Sequence, residues 1–141
     1  MQKVIVTGGA GFIGSNLVDK LIERGIKVTI IDNLSTGKIE NVNPKAKLHI
    51  LDISRHKNQI EKLMADVDVV FHTAAKARVQ PSIEDPITYN EQNVTGTLNI
   101  LFAAHNAGVK RVIYSASSSA YGNATKFPTS ETHPTNPLSP Y

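Results

Sequence analysis

Val4-Ile5-Val6-Thr7-Gly8-Gly9-Ala10-Gly11-Phe12-Ile13-Gly14-Ser15-Asn16-Leu17 decides how this chain folds. A β-branched run stops at a glycine cluster, and an apolar helical pattern begins directly after it. Gly8, Gly11 and Gly14 fall in the spacing G-x-x-G-x-x-G, and each has a job if a dinucleotide lies over this turn. Gly8 permits the tight turn from strand to helix. Gly11 lets backbone approach a diphosphate, and Gly14 lets the helix sit close to the strand. The helix N-terminus then offers unpaired N–H groups and a positive dipole end to phosphates. Three glycines alone can be an ordinary turn. The strand before them and the helix after them are the context a dinucleotide site requires.

Working outward, a strand over residues 3–7 precedes the glycines, and a helix over 12–24 follows, with Ile13, Leu17 and Leu21 on its apolar stripe and Val18 and Ile22 widening it. Gly25 closes that helix. The next strand, 27–32, ends in Asp32, 18 residues past Gly14, near the ~20 expected of the acid that grips the adenosine ribose. A carboxylate there accepts hydrogen bonds from both ribose hydroxyls and repels a 2′-phosphate. Asn33, Leu34 and Ser35 follow with no arginine among them, which favours NAD over NADP. Taken alone, Asp32 also reads as a strand-end turn residue.

Residues 34–46 read as a polar loop and 47–51 as a third strand. Asp52-Ile53 would then border the adenine ring, the acid bonding its amino group and the isoleucine covering its face. Asp52 reads equally well as the N-cap of a helix marked by Ile60, Leu63 and Met64. A fourth strand, 67–72, leads into Thr73-Ala74-Ala75, small residues where a cofactor would cross the strand end. Residues 78–86 read as a loop. Residues 87–106 read as one amphipathic helix with Val94, Leu98, Leu101 and Ala104 on its stripe. Gly96 inside it costs about 1 kcal/mol relative to alanine, which predicts close packing there. Asn93 on this helix either reaches a substrate pocket or is solvated. A fifth strand, 111–115, ends in the hydroxyl cluster Ser115-Ala116-Ser117-Ser118-Ser119-Ala120-Tyr121-Gly122. A hydroxyl there can hydrogen-bond an oxygen undergoing oxidation. It is too weakly acidic to take that oxygen's proton.

Five strands alternating with helices predict an α/β, Rossmann-type doubly wound parallel sheet in the order 3-2-1-4-5 with right-handed crossovers. Residues 1–122 form the dinucleotide-binding domain. Residues 123–141 are a segment punctuated by Pro128, Pro134, Pro137 and Pro140 that ends at Tyr141. The glycines, Asp32, Asp52, Ala74 and Ser117 all fall at strand carboxyl ends, where such sheets bind ligands.

At 141 residues, 40% hydrophobic and 19% charged, the chain is the size of one ordinary domain. A net charge of +3 from scattered lysines and arginines does not indicate a nucleic-acid surface. Without cysteine, disulfides and thiolate metal sites are excluded. The five histidines have no ligand spacing and read as surface or satisfied residues, so no metal is expected. With no apolar signal or spanning segment, the expectation is a cytoplasmic protein without a membrane partner.

Thr7-Gly8-Gly9-Ala10-Gly11-Phe12-Ile13-Gly14, Asp32-Asn33-Leu34, His72-Thr73-Ala74-Ala75, Asn93-Val94-Thr95-Gly96-Thr97 and Ser117-Ser118-Ser119-Ala120-Tyr121-Gly122 together resemble the extended short-chain dehydrogenase/reductase family. Within it they are similar to nucleotide-sugar epimerases of the UDP-glucose 4-epimerase type. Carried over by position, the resemblance adds Phe12, Ile13, Asn33 and Ala75 to the cofactor contacts. It puts Asn93 near cofactor and substrate pocket, makes Ser117 the catalytic serine or threonine, and makes Ser119 a second hydroxyl near the sugar. Tyr141 corresponds to the catalytic tyrosine. The mechanism it implies is a transient oxidation at C4 of the sugar, with NAD regenerated and kept bound. Free tyrosine has a pKa near 10, so only about one in a thousand is ionised at neutral pH. In the family the nicotinium charge and a lysine four residues further on lower that pKa. No residue follows Tyr141 here. The chain is therefore expected to be an N-terminal fragment that binds NAD without turnover, of an enzyme that is a homodimer in full. Two rivals remain: a 4,6-dehydratase or decarboxylase of the same family, which would need an acid where Ser119 stands, and a non-catalytic NAD-binding module.

Overall fold

A computed structural model gives the fold of residues 2–141. Five strands, β1 (Lys3–Thr7), β2 (Lys27–Asp32), β3 (Lys47–Ile50), β4 (Val69–His72) and β5 (Arg111–Tyr114), form one sheet in the order β3-β2-β1-β4-β5. Every neighbouring pair is parallel. This is the Rossmann-type arrangement expected from the alternation of apolar runs. Because the pairs are in register, Ile31, Thr7, His72 and Tyr114 lie side by side across the carboxyl ends of four strands.

Both faces of the sheet are covered, as the unbroken apolar runs of β1 and β2 demand. On one face, Val4, Val6, Val28 and Ile30 pack against Val18 and Leu21 of α1 (Phe12–Glu23). On the other, Ile5, Ile31 and Val70 pack with Ile60 and Met64 from in and just after α2 (Lys57–Leu63) and with Ile100, Ala103 and Ala104 of a later helix. Each fully buried isoleucine contributes about 1.5–3 kcal/mol relative to exposure. Ile13, expected on the buried stripe of α1, instead stands exposed on its first turn. The core reaches only the side of the helix that Gly14 brings down to the strand.

A short helix, α3 (Val79–Glu84), occupies the region expected to be loop, and α4 (Pro86–Asn90) opens the helix expected over 87–106. Pro81 sits in the first turn of α3 and Pro86 opens α4, positions where a missing N–H costs nothing. From α4 the chain continues through a π-helical turn, Glu91–Thr95, into α5 (Gly96–Asn106). The buried side of α5 is Gly96, Ile100, Ala103 and Ala104, so of the expected stripe only Ala104 is inside. Val94, Leu98 and Leu101 face outward with Phe102. Apolar residues occupy both sides of this helix, and the small ones fit against the sheet. Gly96 is where packing is tightest: a Cβ there would lie 2.6 Å from Ile53 Cγ1.

Candidate functional site

Two clefts open along the carboxyl edge of the sheet and share Ala75. The first, of about 300 Å³, is walled by the turn after β1, the end of β2 and the residues after β4. Gly8 has φ +71°, and a Cβ on it would meet the Ala74 backbone at 2.8 Å. A Cβ on Gly14 would run into the carbonyl oxygen of Gly8. The protein's own backbone therefore requires these two glycines. Gly11 differs: the nearest atom to a Cβ there is Gly8 O at 3.3 Å, and Gly11 lines the cleft. That contact is tight but not prohibitive, so the protein's own packing demands less of Gly11 than of the other two. Gly11 is also the N-cap of α1, makes no side-chain cap, and is followed by a first turn without acid. The helix end thus presents its N–H groups and positive dipole end uncompensated.

Asp32 ends β2 beside this turn and is 8% exposed. Its Oδ2 accepts from Ala10 N–H at 2.9 Å and its Oδ1 from Leu34 N–H at 2.8 Å. Two backbone donors fix the carboxylate, and each oxygen keeps a lone pair for a ligand. Ser35, Thr36 and Gly37 line the cleft next to it. Reading the residues singly missed these, although Gly37 carried a signal. A Cβ on it would meet Ala10 Cβ at 2.8 Å and Asp32 Oδ1 at 3.1 Å.

Asp52 lies behind the first cleft and does not line it. Its Oδ1 accepts from Ser54 Oγ at 2.6 Å and Ser54 N–H at 2.8 Å, while Oδ2 accepts from Gln92 Nε2 at 2.9 Å and Asn33 Nδ2 at 3.2 Å. Burial alone would raise its pKa, but the bonds from Ser54, Gln92 and Asn33 outweigh that and hold it at about 2. The N-cap alternative for Asp52 is overturned: α2 is capped at His56 without a side-chain bond, and the aspartate instead closes a turn onto Ser54. Asn33 and Gln92, which hold Asp52, do line the cleft. Gln92 is a further missed residue, hidden because its helix position alone signals nothing. Phe12, Ile13, Ile53, Ala74 and Ala75 line the cleft as well, Ile53 with only an edge because it is buried under Gly96.

The second cleft, of about 350 Å³, lies beyond β5. Asn93, Tyr114, Ser117 and Tyr141 line it. Ser117 caps the short turn Ser118–Tyr121, its Oγ accepting from Ser119 N–H at 3.1 Å. Ser119 is not in the cleft wall; it serves that cap through its backbone. Tyr141 is held by its N–H, which donates to the buried Ser82 Oγ at 3.2 Å. Asn93 is not simply solvated: Lys76 N–H donates to its Oδ1 at 2.8 Å, and its Nδ2 donates to Lys76 O at 2.9 Å. Asn93 thereby clamps the loop between the two clefts, and it borders the second rather than the first.

Of the five histidines, His72 is fully paired. His49 Nε2 is buried without a partner, so the expectation of a satisfied residue fails there. Among the described residues no three His, Cys, Asp or Glu side chains gather as a metal site, and no helix is long and apolar enough to cross a membrane.

The family model described as "NAD dependent epimerase/dehydratase family" matches residues 4–141. A protein of Methanocaldococcus jannaschii named putative UDP-glucose 4-epimerase is 47% identical over 140 residues, covering 98% of this chain and 46% of that protein. The crystal structure of a Thermotoga maritima UDP-glucose 4-epimerase with UDP-glucose superposes with a TM-score of 0.94 at 42% identity, over 99% of this chain and 46% of that one. That of a Thermus thermophilus UDP-glucose 4-epimerase in complex with NAD gives 0.91 at 40% identity, over 99% and 46%. The chain thus spans about half the length of these relatives.

Proposed function

Because the chain belongs to the NAD dependent epimerase/dehydratase family, we propose that the protein interconverts the C4 epimers of a UDP-hexose as a cytoplasmic homodimer, with NAD in the first cleft and the sugar in the second. The observation that carries this is the joining of the two clefts at Ala75: an uncapped helix end and a fixed carboxylate on one side, two hydroxyls on the other. The first cleft fits the cofactor. Gly11 leaves open the space a Cβ would fill, the end of α1 suits a diphosphate, and Asp32 suits a ribose diol. Asn33, Ile53 and Ala74 would wall the adenosine and the crossing, with Asp52 acting through Asn33 and Gln92.

NAD bound there supplies the hydride acceptor and donor that C4 chemistry needs. Ser117 and Tyr141 handle the proton. Ser119 N–H occupies one lone pair of Ser117 Oγ, leaving the Ser117 O–H to donate to the sugar's 4-oxygen. Tyr141, as phenolate, takes the hydroxyl proton as C4 is oxidised and returns it on reduction. Residues 117–122 carry hydroxyls and no carboxylate, which disfavours elimination of water, where an acid must protonate the leaving hydroxyl. The outward-facing Val94, Leu98, Leu101 and Phe102 on and just before α5 support a dimer.

Incubation of the whole protein with UDP-galactose, with UDP-glucose read by a coupled dehydrogenase, tests the reaction; these 141 residues alone are expected to bind NAD without turnover. A denatured extract assayed for NAD tests the cofactor, and sedimentation tests the dimer. Product that has lost water would favour the dehydratase. NAD without any sugar chemistry would favour a binding module.

A further inference from the structure

His72 is 1% exposed and touches both clefts through its neighbours. Its Nδ1 lies 2.6 Å from Thr7 Oγ1, which also accepts Ala74 N–H at 3.2 Å. Its Nε2 lies 2.9 Å from Thr97 Oγ1, whose own proton goes to Asn93 O at 2.6 Å. Thr97 must therefore accept from Nε2–H. Nδ1 is left to accept from Thr7, whose lone pair is engaged by Ala74. One tautomer satisfies every member of the chain. It runs from Ala74 in the wall of the first cleft, through Thr7, His72 and Thr97, to Asn93 in the wall of the second. Asn93 then returns to the same loop by its paired bonds with Lys76. The His72 ring also stacks on Tyr114 of the second cleft at 5.6 Å and 23°. Any buried neutral imidazole needs a partner at each nitrogen; what sets this one apart is where its partners lead. This one links two hydroxyls that each lead to a different cleft.

The loop it helps to hold is under strain. Arg78 has φ +86°, a conformation that costs a non-glycine residue free energy and persists only where its surroundings impose it. Tyr89 Oη donates to Ala77 O at 2.6 Å, so residues 74–77 are tied down at Ala74, Lys76 and Ala77 in turn.

We propose that His72 is a positioning residue that holds the two clefts in register, acting through Thr7 on one side and through Thr97 and Asn93 on the other. The inference rests on the reading of the first cleft as a dinucleotide site that extends past Ala75. A ligand that reaches both clefts should depend on the chain of bonds, and one confined to the first should not.

NAD⁺ and ADP, titrated calorimetrically into the protein and its variants, separate these cases. His72→Phe keeps a ring against Tyr114 but breaks both bonds. Thr97→Val breaks the chain without touching the histidine. Each should weaken NAD⁺ about tenfold, the scale of one net hydrogen bond, and leave ADP within about twofold. His72→Gln, which can still donate to Thr97, should recover most of the NAD⁺ affinity. Nitrogen NMR of the unaltered protein at pH 7 should show the His72 proton on Nε2 alone. Variants that bind NAD⁺ as the parent does, or that lose both ligands equally, overturn the proposal. If His72→Phe does not fold, Thr97→Val decides. A parent that binds ADP but gains nothing from the rest of NAD⁺ removes the second cleft from the argument and overturns the proposal. A parent that binds neither overturns the dinucleotide reading itself, and this inference with it.

Discussion

Acidification from pH 7 to pH 5 should cost the protein about 2 kcal/mol of stability, and the cause is one imidazole. Burial pushes His72 from the ordinary 6.5 down to about 4, so between those values the unfolded chain binds a proton that the folded chain refuses. Stability is therefore fully present above 6.5, falls as the pH drops toward 4, and levels off below. Each unit of pKa difference is 1.36 kcal/mol. The whole window is thus worth about 3 kcal/mol, and about 2 kcal/mol of it is spent by pH 5. Urea unfolding followed by circular dichroism at pH 7, 6, 5 and 4.5 measures the slope directly. His49 contributes in the same direction, because burial and the nearby Lys47 charge lower its pKa. The His72→Phe protein should accordingly keep a shallower slope, not none. A stability that stays flat from pH 7 to 4.5, or a slope unchanged in His72→Phe, would refute the assignment of a buried neutral imidazole to this position.

Gly14→Ala should destabilise by about 3 kcal/mol or more, because its Cβ meets a backbone oxygen that cannot move aside. Gly11→Ala should change stability by under about 1 kcal/mol yet weaken NAD⁺ at least tenfold; urea midpoints and calorimetry separate the pair. Asp32→Asn turns an amide donor toward the Ala10 or Leu34 N–H. It should cost about 1.5–3 kcal/mol and erode the preference for NAD⁺ over NADP⁺ in competition binding. Below pH 4 a further loss should come from Asp52, present above its ordinary 3.8 and gone as the pH passes about 2. Solvent screening limits that loss to about 1 kcal/mol, and Asp52→Asn should abolish it. In the whole protein, Tyr141→Phe should lower UDP-galactose turnover by about a thousandfold with NAD⁺ affinity unchanged.

The sheet was legible because β1, β2, β4 and β5 carry short β-branched runs and the residues with chemical jobs cluster where the strands stop. The roles of Gly8 and Gly14 follow from backbone sterics, which a spacing rule encodes directly. Less legible were the helix α3 and the inward face of α5. Pro81 and Pro86 look like loop signals unless they are placed in first turns, where helices tolerate them. In α5, Leu98, Leu101 and Phe102 point outward while the smaller Gly96, Ala103 and Ala104 share the buried side with Ile100. Hydrophobicity ranks side chains by appetite for burial and says nothing of available depth. Gln92 and the Thr7–His72–Thr97 chain escaped notice for a related reason. Their partners come from four separate elements, and no local pattern announces a meeting of that kind.

The π turn at Glu91–Thr95 makes one rod behave as two gears on a common shaft. An α-helix advances about 100° per residue, and a π turn spends one additional residue on its circuit. α5 therefore starts about 100° out of phase with α4. The first gear meshes with the loop at Ala77 through Tyr89, the second with the sheet through Ile100. Deleting a single residue within the π turn would restore one unbroken α-helix and leave both sets of teeth engaged.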